Sequence, residues 1–481
     1  MRVTIRDGFE RTIAPMGPPS HRTYARVVRL LGGAPDAAGT WQDDAEFARQ
    51  RLNGVNPMRM RAVGELSPPL AAAADHVLKE TEQRVTTTEL TRDGRLFETK
   101  YLELSHERIQ KRVSPGRVLA APHCLFWTDR VGQLMPLAIQ LLPGGRVFTP
   151  LSPKWTWLAA RAHAQAADGC VHEGFYHLLE THLLNEALAM CLHRQVHSDH
   201  PLHQLLAPHY EETLAINSVA RGNLLTQDGP IATSVAAGVD GTMEAARANY
   251  QYFDFQRRGL REDLTERGLM EVPGFYYRDD ALALSDTLSD LIESVLSIWY
   301  RSDQDVVLDD ELQAFCEEAA SPRGAAVPGF PQQLENRASL FSLVEKLIFR
   351  AGPQHAAVNS GQFDTYGWVP NAPGALSGPL PADPQEPMDE LGFWNVMPTH
   401  AEALAQTGMA WVLSQSTRRS LLHLGGAEIF HTRLGLDAPQ AIDVFRNQIL
   451  EISSRIRLRN RSLPTPYPYL DPFNISCSTD I

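Results

Sequence analysis

The chain has 481 residues, 43% of them apolar, and a formal net charge of −13. That apolar fraction suffices for an ordinary globular core, while the acidic balance excludes nucleic acid as a partner and offers no general attraction to an anionic membrane surface. Its five cysteines (Cys124, Cys170, Cys191, Cys316, Cys477) are scattered and form no CxxC pair, which argues against a disulfide framework or a thiolate zinc site and fits a reducing compartment.

The N-terminal stretch MRVTIRDGFERTIAP has no apolar h-region, and nowhere do roughly 18 apolar residues run uninterrupted. The expectation is a cytoplasmic chain with no transmembrane segment, and a monomer. Residues 1–60 are polar and Arg-rich, with breaks at Pro15, Pro18, Pro19 and Gly32–Gly33, and predict a helical arm packed on the remainder. A helix is expected from Trp41 to Leu52. Residues 85–150 carry strand signals in RVTTTEL, LFETKYLEL and LMPLAIQLL, with turns at Asp93–Gly94 and Gly144–Gly145. From Trp155 to Leu225 Leu, Ala and His recur at helical spacing, and further helical blocks cover 282–301 and 333–360. The Pro-rich residues 369–386 predict an ordered surface loop, and a last helix covers 438–460 with Pro439 near its start. The tail from Leu463 to Ile481 contains four prolines and cannot be helical. No repeat or low-complexity linker divides these blocks, so the fold class expected is mainly α, one domain over 1–481 with a small antiparallel sheet.

The densest chemistry lies between 172 and 209, where histidines stand at 172, 177, 182, 193, 197, 200, 203 and 209. Imidazole is the commonest metal ligand. In a regular α-helix His177 and His182 would point roughly 140° apart, at about 100° per residue. A π-bulge would bring both rings to one side, and such bulges favour functional sites. The flanking leucines predict a buried helix, so each ring needs a partner; a metal and ordinary core hydrogen bonds both supply one. In QHAAVNSGQFD, His355 and Asn359 share a helical face at i, i+4. Asn suits a helix interior only with a specific partner. Tight helix packing explains this segment equally well when it is taken alone.

Together these residues resemble the lipoxygenase family. The motif His-x4-His-x17-His-x8-His is met by His177, His182, His200 and His209, HAAVNxGQ(F/Y)D by 355–364, and the family's terminal Ile by Ile481. Further likenesses are WQDDAEFARQRLNGVNP (41–57), GFYYRDDALAL (274–284), DDELQAF (309–315) and LPTPYPYLDP (463–472). The likeness is to short bacterial-type members consisting of the catalytic domain without the N-terminal β-barrel.

The resemblance implies one non-haem iron held by His177, His182, His355, the weaker ligand Asn359 and the main-chain carboxylate of Ile481; manganese is the less fitting alternative. His200 and His209 would satisfy core hydrogen bonds, and His193, His197 and His203 would be solvated. Glu173 and Gln362 fall where the family links its ligands to the substrate pocket. Asp480, beside the terminal residue, departs from the family's small or apolar choice. The implied partners are O2 and a polyunsaturated fatty acid of linoleate or arachidonate type. The implied reaction is hydrogen-atom removal from a 1,4-pentadiene followed by O2 addition from the opposite face. Ala220 occupies the stereocontrol position, where Ala accompanies S hydroperoxides and Gly accompanies R, and Leu183 would line the oxygen route. Gly169, Leu178, Leu224, Ser234, Val235 and Met409 are the expected pocket residues, with small groups predicting a deep cavity. Arg161 and Arg221 are candidates to hold the fatty-acid carboxylate. A hydroperoxide isomerase using the same iron and a silent lipid-binding scaffold are the rival readings.

Overall fold

The computed structural model describes residues 18–415, 420–421 and 437–481. The N-terminal stretch ending at Pro15 lies outside the described residues, as do the side chains at 437–439, Pro439 among them.

Helix α1 (His21–Arg29) opens with a capping box between Ser20 and Thr23, and buries Tyr24 and Val28 against Leu158 and Trp368. Helix α2 (Asp44–Asn53) begins three residues later than the expected helix from Trp41 to Leu52. Five short strands then form one antiparallel sheet in sequence order: β1 (Arg61–Ala62), β2 (Leu96–Lys100), β3 (His123–Thr128), β4 (Leu134–Gln140) and β5 (Val147–Phe148). One side of this sheet carries Leu96, Leu125 and Leu137 into a small core with the Pro68–Glu80 helix. Pro136 sits in β4 where the register against β3 shifts at Leu125/Phe126, a place where a missing ladder donor is tolerated.

RVTTTEL corrects one expectation. It is not a strand: Thr87–Arg92 is a helix, capped by Thr86, whose hydroxyl accepts from Glu89 N while the Glu89 carboxylate accepts from Thr86 N at 2.8 Å. A satisfied capping box outweighs the strand preference of three threonines. LFETKYLEL is strand only through Lys100 and continues as a 3₁₀ turn.

The centre of the molecule is one unbroken helical rod. It consists of α3 (Lys154–Val171), a π-helical stretch (His172–Leu183) and α4 (Leu184–Gln195). In α3 residues are buried on almost every side, as expected of a helix surrounded by others. Against the rod pack α5 (Thr213–Asn223) and α6 (Gly238–Tyr250), while α7 (Tyr276–Leu296) and α8 (Arg337–Phe349) pack on each other. Next come a second π-turn (Arg350–Gln354), α9 (His355–Asn359), α10 (Gln362–Tyr366), α11 (His400–Leu413) and α12 (Asp437–Asn460). Helix α7 begins six residues before the expected block, and α12 packs along it, fixed by the Arg459–Asp280 pair at 2.7 and 2.8 Å.

The 369–386 segment is a surface loop only in its second half. Residues 369–376 are buried except Gly374, because Gln406 donates to Tyr366 O and Ala372 O at 2.9 Å and accepts from Gly374 N at 2.8 Å. Those bonds satisfy backbone groups that would otherwise need water. Leu376–Ser377 also pairs with Arg117–Val118 as a two-stranded ribbon.

Candidate metal centre

His177 and His182 lie on the π-stretch, whose wider turn carries both rings to one side of the rod as their five-residue spacing requires. Their Nε2 atoms are 3.3 Å apart. The second π-turn precedes α9 and delivers His355 Nε2 to 3.2 Å from His182 Nε2. All three residues are buried, and one ligand atom from each lies within 4.8 Å of the others.

Hydrogen bonds at the far side of two rings fix their chemistry. His177 Nδ1 stands 3.0 Å from Glu173 Oε2. Burial pushes the Glu173 carboxyl up, but His172 and His177 outweigh it and hold that group well below the usual range. An ionised carboxylate only accepts, so His177 Nδ1 is the donor and Nε2 is the ring atom left to face the cluster. His182 Nδ1 donates to Asn217 Oδ1 at 2.8 Å, which turns its Nε2 to the cluster too. Burial, then His177, pushes the His182 imidazole down to about 3, and burial with His182 and His177 keeps His355 well below its ordinary value. A cation placed among these ring nitrogens would be shared by their lone pairs. At metal–nitrogen distances of about 2.1 Å, ligands at right angles stand about 3 Å apart, close to the separations here. The donor set therefore fits a metal ion.

Asn359, Gln362 and Glu173 extend the cluster. Asn359 donates to Leu413 O at 2.7 Å and accepts from Gln362 Nε2 at 3.0 Å, leaving a second lone pair on its oxygen. Gln362 Nε2 also comes within 3.4 Å of His177 Nδ1. The tail that carries Ile481 is buried from Ile475 to Thr479 and threaded past these elements. His209 Nδ1 donates to Cys477 O at 2.8 Å, Thr213 and Thr479 hydroxyls are bonded at 2.8 Å, and a Cβ on Gly352 would stand 3.1 Å from Ser476 O. His200 is bonded to Asp309 at 2.9 Å, while His193 and His203 form an exposed pair at 3.1 Å. His172, to which the sequence assigned no role, bonds Tyr366 Oη and Val358 O, each at 2.8 Å.

The pocket residues fall into separate groups. Leu183, Leu178, Ala220 and Leu224 are each partly buried, the first two on the π-stretch, Ala220 on α5 and Leu224 at its end. Ser234, Val235 and Met409 are buried, and the Pro230–Ser234 helix packs on α11. Gly169 faces Tyr366, whose ring would be 3.5 Å from an added Cβ, so an aromatic side chain fills the space beside that small residue. Arg161 is unsuited to a fatty-acid carboxylate: its guanidinium is buried and donates to Gln42 O, Trp41 O, Asp43 O and Asp44. Arg221 is half-exposed and bonded to Glu186 at 2.6 Å. Asn217 went unnoticed in the sequence, although the argument that flagged Asn359, an amide inside a helix in need of a partner, applies to it equally.

A large helical body with three buried imidazoles converging from π-distorted helices is of the class that holds a metal ion between helices. A lipoxygenase family model matches residues 35–465, and the chain belongs to the lipoxygenase family. The human hydroperoxide isomerase ALOXE3 is 32% identical over 456 residues, 92% of this chain and 62% of that one. The human polyunsaturated fatty acid lipoxygenase ALOX15B is 34% identical over 463 residues, 94% of this chain and 68% of the relative. The chain thus spans less than two thirds of the first of these. Among solved structures, a coral 8R-lipoxygenase superposes with a TM-score of 0.90 at 30% identity, covering 98% of this chain and 72% of that one. A lipoxygenase crystallised anaerobically with arachidonate gives 0.91 at 29% identity, covering 99% and 73%.

Proposed function

We propose that this protein is a non-haem iron dioxygenase that inserts O2 into the 1,4-pentadiene of a polyunsaturated fatty acid to give an S-configured hydroperoxide. The observation that carries the reading is the convergence of three buried imidazoles whose Nε2 atoms meet, two of them held by hydrogen bonds at Nδ1, in a chain of the lipoxygenase family. In this proposal His177, His182 and His355 hold the iron with Asn359 and the Ile481 carboxylate. All-nitrogen and oxygen ligation suits iron better than a soft metal. When bound, iron supplies the one-electron couple needed to take a hydrogen atom from the doubly allylic carbon.

The chain's own part is orientation. Glu173 and Gln362 fix the His177 ring and the Asn359 amide, and burial excludes water from the cluster. Leu183 and Ala220 would flank the pentadiene so that oxygen reaches one end from one side. Leu178, Leu224, Ser234, Val235 and Met409 would line the path of the acyl chain. A second reading, hydroperoxide isomerisation at the same centre, is supported by the likeness to the human isomerase.

Metal-loaded protein incubated with linoleate, arachidonate or a fatty-acid hydroperoxide separates these readings. Oxygen uptake with rising conjugated-diene absorbance is expected with the free acids, and chiral analysis should give mainly the S product. Consumption of hydroperoxide alone would favour the isomerase, and a mainly R product would remove Ala220 from its role.

A further inference from the structure

Asn217, on α5, makes three hydrogen bonds around His182. Its Oδ1 accepts from His182 Nδ1 at 2.8 Å, and its Nδ2 donates to His182 O at 3.0 Å and to Glu186 Oε2 at 2.9 Å. Arg221, one turn along the same helix, donates to that same Glu186 oxygen at 2.6 Å. Asn217 is buried, whereas Arg221 is half-exposed, so the chain Arg221–Glu186–Asn217–His182 runs from the surface to a ring of the cluster.

The amide cannot be turned over. Both acceptors around its amino group, a main-chain carbonyl and a carboxylate held by a guanidinium, would then face an oxygen. With Nδ2 committed to them, Oδ1 has one direction left, and it accepts only from a protonated Nδ1. The tautomer of His182 is thereby dictated from α5. The partner here is neutral, unlike the carboxylate at His177, so the two rings of the π-stretch are held by different chemistries.

We propose that Asn217 is a positioning residue of the metal centre: it locks His182 with Nε2 toward the metal and ties α5, which carries Ala220, to that ring. The inference rests on the metal-centre reading above. The direct test measures Co2+ affinity by chelator competition, and the visible Co2+ spectrum, for metal-stripped wild type, Asn217→Ala, Glu186→Ala and Ser218→Ala. Wild type and Ser218→Ala, exposed on the same helix, should bind alike. Asn217→Ala should lose about 10- to 100-fold in affinity and change the spectrum, while its metal-free melting temperature stays within a few degrees of wild type. Glu186→Ala, which leaves the amino group held by the His182 carbonyl alone, should lose severalfold, and decides the matter should Asn217→Ala fail to fold. Wild-type affinity and spectrum in the folded variants would overturn the role of Asn217. Failure of wild type itself to bind Co2+ would overturn the metal centre instead.

Discussion

At the scale of single residues, the fold imposes charge states that the sequence does not announce. His163 on α3 is 1% exposed, and its Nδ1 has no hydrogen-bond partner among the described residues. Burial pushes its imidazole down to about 4. The folded value lies below the unfolded one of about 6.5, so the neutral ring contributes stability above that value and the contribution is lost as pH falls toward the folded value. Between neutral pH and pH 5 that loss is on the order of 2 kcal/mol. His163→Leu should match wild type near pH 7.5 and be less acid-sensitive at pH 5, as read by urea unfolding of the metal-free protein. Equal acid sensitivity in the two proteins would show that His163 does not titrate on unfolding. The clustered residues were legible for a different reason: spacing set against helical period raised His177, His182, His355 and Asn359 as candidates. Asn217 carried the same signal of an amide inside a helix, but its partner lies 35 residues away along the chain and no spacing ties the two together.

At the scale of elements, the site depends on two departures from regular α-helix. The five-residue histidine spacing predicts a wider turn, but not that it fills His172–Leu183 or recurs at Arg350–Gln354 with Pro353 inside it. The sequence does mark where the first is supported from outside. A Cβ on Gly174 would come within 2.8 Å of Thr242 Cγ2 and 3.0 Å of Thr242 O, so α6 lies against the π-stretch just where a side chain is missing. Gly174→Ala should cost about 1–3 kcal/mol through overpacking and lower metal occupancy, with Thr242→Ala restoring only part because the carbonyl remains. An unchanged denaturation midpoint would mean that α6 yields freely. The Thr86-capped helix is fixed by local hydrogen bonds against its strand propensity, and a strand buried on both faces, such as HCLFWT, lacks the alternation that reveals one.

At the scale of the whole molecule, the cluster is assembled from helices far apart in sequence, and the tail is drawn in beside them through His209, Thr213 and the bare face of Gly352. The family likeness made this assembly legible in outline, since its motifs span most of the chain. Cavity shape was not legible, because it depends on which neighbour fills each gap: Gly169 reads as open space in the sequence, yet Tyr366 of α10 occupies it. Arg161, a free cation in the sequence, is spent on the Trp41–Asp44 segment.

The claim that three imidazoles from two separate helical segments hold one metal is tested most directly by iron stoichiometry after chelation and reloading. Wild type should take up one iron per chain, and His355→Ala, which leaves the rod carrying His177 and His182 intact, should retain almost none. Full iron retention in folded His355→Ala would contradict the site described.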